Sequence, residues 1–182
     1  MTKLATLIAS TLACVLVSTN AFAGTKVFAF GGLGTYRHNT GVSTNYSGGV
    51  EKLCADLRKS GVGCTFYSYT DGDRALKAAR KASADGDRIV IIGHSKGGQT
   101  GAQLANELAE RKIKTDLFVA LDTVPAPSLP SSTSHVLDIR SSTWFIGIHG
   151  GRKNEVHNFA TSHTGLDDEK PVHRLISKWV PK

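Results

Sequence analysis

The chain has 182 residues, 40% of them hydrophobic and 20% charged, with 22 Lys and Arg against 15 Asp and Glu for a net charge of +7. That length builds one domain around one sizeable core and is too short for two. The basic excess favours anionic surfaces, but it is scattered along the chain with no cluster to support nucleic-acid binding. The seven His residues are equally dispersed, with no Cys and His spacing of a metal site.

Residues 1–23 read as an export signal. Lys3 gives a positive start, residues 4–17 an apolar core broken only by small hydroxyl residues, and Ala21-Phe22-Ala23 the small-x-small end of a cleavage site. Cleavage is expected near Ala23, leaving residues 24–182 as one exported domain in the periplasm or outside the cell. A membrane anchor needs about 20 unbroken apolar residues, which this stretch lacks. Cys14 follows Thr11-Leu12-Ala13, a poor lipid-attachment box.

From there strands and helices alternate. Residues 26–30 form a short apolar strand ending in Gly31-Gly32; residues 48–59 have helical spacing; residues 63–69 are rich in β-branched and aromatic side chains; residues 74–84 are Ala-rich and helical. Residues 88–92 are a buried strand, and a helix is expected over about 99–112 with Leu104, Ala105, Leu108 and Ala109 on one stripe. A strand at 117–121, a turn-rich stretch at 125–134 and short strands at 135–139 and 155–159 follow. Pro171 then opens a last helix with Val172, Leu175, Ile176 and Trp179 on one face. Such alternation implies a mostly parallel sheet covered by helices on both faces. No repeat, low-complexity tract or second domain interrupts it.

Beyond the export signal two cysteines remain, Cys54 and Cys64. In an oxidising compartment they are expected to pair, stapling the first helix to the strand behind it.

The run Gly93-His94-Ser95-Lys96-Gly97-Gly98 lies between the strand ending at Ile92 and the helix that follows. Strand, Gly-x-Ser-x-Gly and helix in that order form a nucleophile elbow, in which small residues two positions either side of the serine let the chain turn sharply and present Oγ above the sheet edge. A serine nucleophile needs a base within hydrogen-bond reach and an acid that fixes the base's tautomer. Ser95, Asp122 and His163 follow in the order nucleophile, acid, base. His163 is preferred as base over His149, over His157, which falls inside a strand pattern, and over His94, which packs or caps within the elbow. Asp138 is the alternative acid; it falls within a strand, whereas Asp122 follows one. Asp167 and Asp168 read as charges at the start of the last helix.

These residues resemble the α/β-hydrolase superfamily, and within it the small lipases and esterases. The residues from Ile92 to Gly98 look like the lipase elbow, Ala120-Leu121-Asp122-Thr123-Val124-Pro125 like the acid-bearing segment of pancreatic-type lipases, and Ser162-His163-Thr164-Gly165-Leu166-Asp167 like the final His loop. The resemblance spans most of residues 24–182. It implies a three-layer α/β sandwich around a mostly parallel sheet of about six strands, without the first two strands of the eight-stranded fold and without a lid insertion. An oxyanion hole would take one N–H from Lys96 and a second from the loop after the first strand, at Gly32 or Leu33. Tyr36, Arg37 and His38 continue that loop towards substrate, and Trp144, Phe145 and Ile146 either line an acyl pocket or pack in the core.

The expected activity is a secreted serine hydrolase cleaving carboxylic esters, lipid-derived or short-acyl, through an acyl-enzyme. Amidase or thioesterase action, an exported phospholipase-type effector and a non-catalytic α/β binding domain are the alternatives. The expected partners are a small-molecule or lipid ester and, transiently, an anionic membrane surface. No nucleic acid, cofactor or metal is expected, and the chain is read as a monomer.

Overall fold

A computed structural model describes residues 24–34, 47–143 and 147–182. Residues 1–23, expected to be an export signal, the loop residues Tyr36, Arg37 and His38, and the acyl-pocket candidates Trp144, Phe145 and Ile146 lie outside the described residues. The elements in chain order are β1 (Thr25–Phe30), α1 (Gly48–Lys59), β2 (Gly63–Tyr67), α2 (Gly72–Ala84), β3 (Arg88–His94), α3 (Lys96–Glu110), β4 (Thr115–Leu121), β5 (Ser128–Leu129), β6 (Thr133–Ser141), β7 (His149–Gly150), β8 (Asn154–Phe159), a 3-10 turn (Leu166–Asp168) and α4 (Lys170–Trp179).

Six strands form one sheet in the order β2-β1-β3-β4-β6-β8, with every pair parallel. Alternate side chains of each strand enter opposite layers. Val27, Val90, Ile92, Val119, Leu137 and Ile139 pack with Val50, Leu53 and Leu57 of α1 and Val172 and Ile176 of α4. Phe28, Phe30, Ile89, Ile91 and Phe118 pack with Ala75 and Ala79 of α2 and Ala102, Leu104 and Leu108 of α3. Phe30, Ile91, Phe118 and Leu108 are wholly buried, and each such side chain is worth about 1.5–3 kcal/mol relative to exposure. This is the expected three-layer α/β sandwich, and its parallel strands bring the ends of β1, β3, β4 and β6 to one edge.

Three expectations need correction. α3 begins at Lys96, directly behind Ser95, and not near Gln99. Gly97 and Gly98 are poor helix formers, but a Cβ on Gly97 would lie 2.6 Å from the carbonyl oxygens of Phe30 and Gly31, so the helix start fits against β1 only without side chains there. The turn-rich stretch at 125–134 contains β5, which pairs with β7 in a separate two-residue ladder. Asp167 is not a surface charge. It is 1% exposed in the 3-10 turn, and its Oδ2 accepts the N–H of Val50 in the first turn of α1. The approach is so close that a Cβ on Gly49 would fall 1.9 Å from the carbonyl oxygen of Asp167.

Cys54 and Cys64 form a disulfide with Cα atoms 5.4 Å apart, joining the middle of α1 to β2. Closing a loop of 10 residues restricts the unfolded chain by roughly 2–3 kcal/mol in the chain-entropy account. Reduction is therefore expected to lower the melting temperature by about 5–10 °C, with no titratable thiol in the denatured, unreduced residue 24–182 protein. Two free thiols under those conditions would contradict the bridge.

Candidate active site

At the end of β3 the chain reverses into α3 through Ser95, at φ 52 and ψ −123. A non-glycine residue with positive φ is costly, and the cost is borne where surrounding structure over-determines it. Here the over-determination is visible. The Ser95 N–H donates to the carbonyl of Leu121 at 2.8 Å, and a Cβ on Gly93 would lie 2.4 Å from the Cα of Gly98. The two glycines flanking Ser95 are thus required by close backbone approach. The turn leaves Oγ proud of the sheet edge and places Lys96 first in α3, where its N–H has no intrahelical acceptor.

His163, in the loop before the 3-10 turn, reaches back over Ser95. Its Nε2 is 3.0 Å from Ser95 Oγ, and its Nδ1 is 3.3 Å from Asp122 Oδ2. Asp122 follows β4, also at positive φ, and is buried with its other oxygen accepting the Ser141 N–H at 2.8 Å. Burial by itself raises the pKa of this carboxyl. Hydrogen bonds from His163 and Ser141 outweigh it and hold the group below the ordinary aspartate value, as an anion facing Nδ1. Asp138 sits one strand away and is engaged elsewhere: its Oδ2 accepts from Arg140 Nη2 at 2.6 Å and from the Ile148 N–H at 3.1 Å. His157 lies in β8 beside Glu155 and His149 in β7, neither of them bonded to Ser95.

The loop after β1 runs alongside Ser95. A Cβ on Gly32 would be 3.0 Å from Ser95 Cβ. Gly32 was an expected oxyanion donor, but its N–H is already committed to Ser47 Oγ at 2.8 Å. Leu33, the other candidate, is 56% exposed at the mouth of the cleft. The cleft has a volume of about 230 Å³ and is lined by Gly32, Leu33, Ser47, His94, Ser95, His163 and Thr164. Among the described residues no cluster of His, Cys, Asp and Glu could hold a metal ion.

Sequence reasoning missed the polar cluster beneath this cleft. His94 is 2% exposed; its Nδ1 is 2.8 Å from Ser47 Oγ, its Nε2 is 3.0 Å from the His163 carbonyl, and its ring lies 4.9 Å from that of His163. Asp167 Oδ1 stands 3.9 Å from His94 Nδ1, buried and with no hydrogen bond among the described residues. Burial, then the neighbouring His163, push the His94 pKa down to about 4, whereas burial pushes the Asp167 carboxyl up to about 6.

The two groups act on stability with opposite sign. Folded His94 binds a proton less readily than a free imidazole of pKa 6.5, so its contribution is lost as pH falls from 6.5 through 4. Folded Asp167 binds one more readily than a free carboxyl of pKa 3.8, so its contribution is gained as pH falls through 6. Asp167→Asn keeps an oxygen for the Val50 N–H and removes the compensating proton uptake. Scanning calorimetry between pH 6.5 and 4 is expected to show a steeper fall of melting temperature in this variant than in the unaltered protein. An equal or shallower fall would contradict the assignment.

No protein-family model matches the sequence, and a search of curated proteins finds no match. Solved structures do resemble it. A structure from work on LipS and LipT, two metagenome-derived lipolytic enzymes, superposes with a TM-score of 0.58 at 13% identity, covering 86% of this chain and 92% of that one. A candidate α/β hydrolase of unknown function from Agrobacterium tumefaciens gives 0.57 at 15% identity over 86% and 84%. Human thioesterase 2 gives 0.55 at 11% over 87% and 94%. At such identities the likeness establishes the architecture: the chain has the α/β-hydrolase fold.

Proposed function

We propose that this protein is a serine hydrolase that cleaves carboxylic esters through an acyl-enzyme, exported after removal of residues 1–23. The observation that carries the reading is the unbroken series Ser95 Oγ, His163 Nε2, His163 Nδ1, Asp122 Oδ2, with contacts of 3.0 and 3.3 Å, beginning at a serine in a positive-φ turn. In this account His163 takes the Ser95 proton as Oγ attacks the ester carbonyl, then returns it to the departing alcohol; water, activated by the same imidazole, releases the acid. Asp122 stays ionised throughout and stabilises the imidazolium. Charge on the tetrahedral oxygen is met by the N–H of Lys96 and, because Ser47 occupies that of Gly32, by the N–H of Leu33. The modest, open cleft and the apolar Leu33 at its mouth suit short or lipid-derived acyl groups. The same machinery would serve a thioester, and both lipolytic enzymes and a thioesterase share the fold.

The experiment is turnover of a p-nitrophenyl ester series by three variants, each checked by its melting curve. Ser95→Ala is expected to fold and to lose about 10⁴-fold in rate. Asp122→Asn is expected to lose about 10³–10⁴-fold, with the imidazole left in the wrong tautomer. Asp138→Asn should retain most activity and lose stability, since it weakens the contacts to Arg140 and Ile148. A severe rate loss confined to Asp138→Asn would move the acid, and more than a tenth of the normal rate in Ser95→Ala would overturn the mechanism.

A further inference from the structure

We infer that Ser47 and His94 are positioning residues for this chemistry: together they form a hydrogen-bond relay that joins the oxyanion loop to the loop carrying the catalytic base. The inference rests on the triad reading above and adds to it a device that sets the relative position of its parts.

Ser47 stands at the N-cap of α1, where a serine ordinarily bonds the free amides of the first turn, yet its side chain makes no cap bond. The side-chain oxygen that caps Val50 comes instead from Asp167, 117 positions later, beside the main-chain carbonyl of Ser47. Ser47 Oγ is turned to the Gly32 N–H and to His94 Nδ1, at 2.8 Å each.

The proton positions along this path follow from donor and acceptor inventory. The His163 carbonyl can only accept, so His94 Nε2 carries the hydrogen that bridges their 3.0 Å contact. A neutral ring then offers Nδ1 as a lone pair, so Ser47 must donate its hydroxyl hydrogen to it. The serine oxygen is left to accept from Gly32, whose N–H can only donate. Every bond therefore runs in one direction, from Gly32 through Ser47 and His94 to the main chain of His163. Burial keeps His94 neutral at ordinary pH, so Nδ1 remains an acceptor. The ends of the path are the peptide next to Leu33 and the backbone of the residue whose ring faces Ser95. A structural histidine that only filled space would have no need to be bonded to both loops.

The path predicts a rate effect without a matching binding effect. Ser47→Ala and His94→Gln, assayed on p-nitrophenyl butyrate, are expected to lose 10- to 100-fold in kcat with KM within about threefold. Affinity for an alkyl boronic acid, which mimics the tetrahedral intermediate, should fall by the same factor as kcat/KM. The double variant should lose no more than the worse single one, because both break the same path. Unchanged kcat in folded Ser47→Ala, a loss confined to KM, or losses that multiply in the double variant would each overturn the relay. Should either variant not fold, histidine ¹⁵N spectra of the unaltered protein decide: Nε2–H His94 that does not titrate between pH 5 and 8 is expected, and the Nδ1–H tautomer or an imidazolium near pH 6 overturns it. Ser95-dependent turnover in the unaltered protein separates the two readings. Its absence defeats the triad and the relay with it, whereas normal Ser95-dependent turnover with an unimpaired Ser47→Ala defeats the relay alone.

Discussion

The backbone turn at Ser95 is the constraint on which the rest of the site depends. A serine at φ 52 would relax to an ordinary conformation if it could, and what prevents it is contact on three sides. β4 holds its N–H through Leu121, the chain of β3 touches α3 at Gly93 and Gly98, and α3 touches the end of β1 at Gly97. Each of these is a backbone contact between elements already locked by the parallel sheet. Packing of Phe30, Ile91 and Phe118 therefore supplies the energy that keeps one strained residue in place, which is how a core fixes the direction of the Ser95 side chain.

Around that turn the polar groups are arranged in two storeys. The upper one is Ser95, His163 and Asp122, partly open to solvent at His163, whose side chain is 27% exposed, and sealed at Asp122. The lower one is Ser47, His94 and Asp167, all at most 2% exposed. Burial pushes the upper aspartate and the lower one alike towards the neutral acid, and hydrogen bonds decide the difference. Asp122 receives enough of them to remain an anion, while Asp167 has one oxygen with no hydrogen bond among the described residues and a raised pKa. His94, held neutral, and Asp167, whose carboxyl takes a proton near pH 6, lie side by side under Ser95, so the buried layer carries a negative charge at neutral pH that is lost as the pH falls through 6.

What the sequence made legible was local in character. The elbow is six consecutive residues where a strand passes into a helix, and the chain order of Ser95, Asp122 and His163 needs only the strand ends to be placed. Periodicity found α1, α2 and α4 because their apolar stripes repeat over three turns or so, and it missed β5 and β7 because two residues carry no period. The lower storey was out of reach for a different reason. Ser47 and His94 are 47 positions apart and Val50 and Asp167 are 117 apart, and each taken alone has a commonplace local meaning: a cap, a packed histidine, an acid before a helix. Asp167 next to Asp168 and ahead of Pro171 reads as dipole complementation for α4, whereas the helix it serves is α1. Gly49 was the available hint, since a glycine inside the first turn of a helix marks a place where another chain segment comes close.

The central claim is that the fold holds Ser95 as an activated nucleophile, and covalent labelling tests it most directly. The residue 24–182 protein, oxidised and at neutral pH, is treated with a fluorophosphonate and digested for peptide mapping. The account predicts one adduct per chain, carried on Ser95, and its disappearance in Asp122→Asn on the same timescale. An unlabelled protein whose melting curve shows it to be folded, or an adduct carried by another residue, would contradict it.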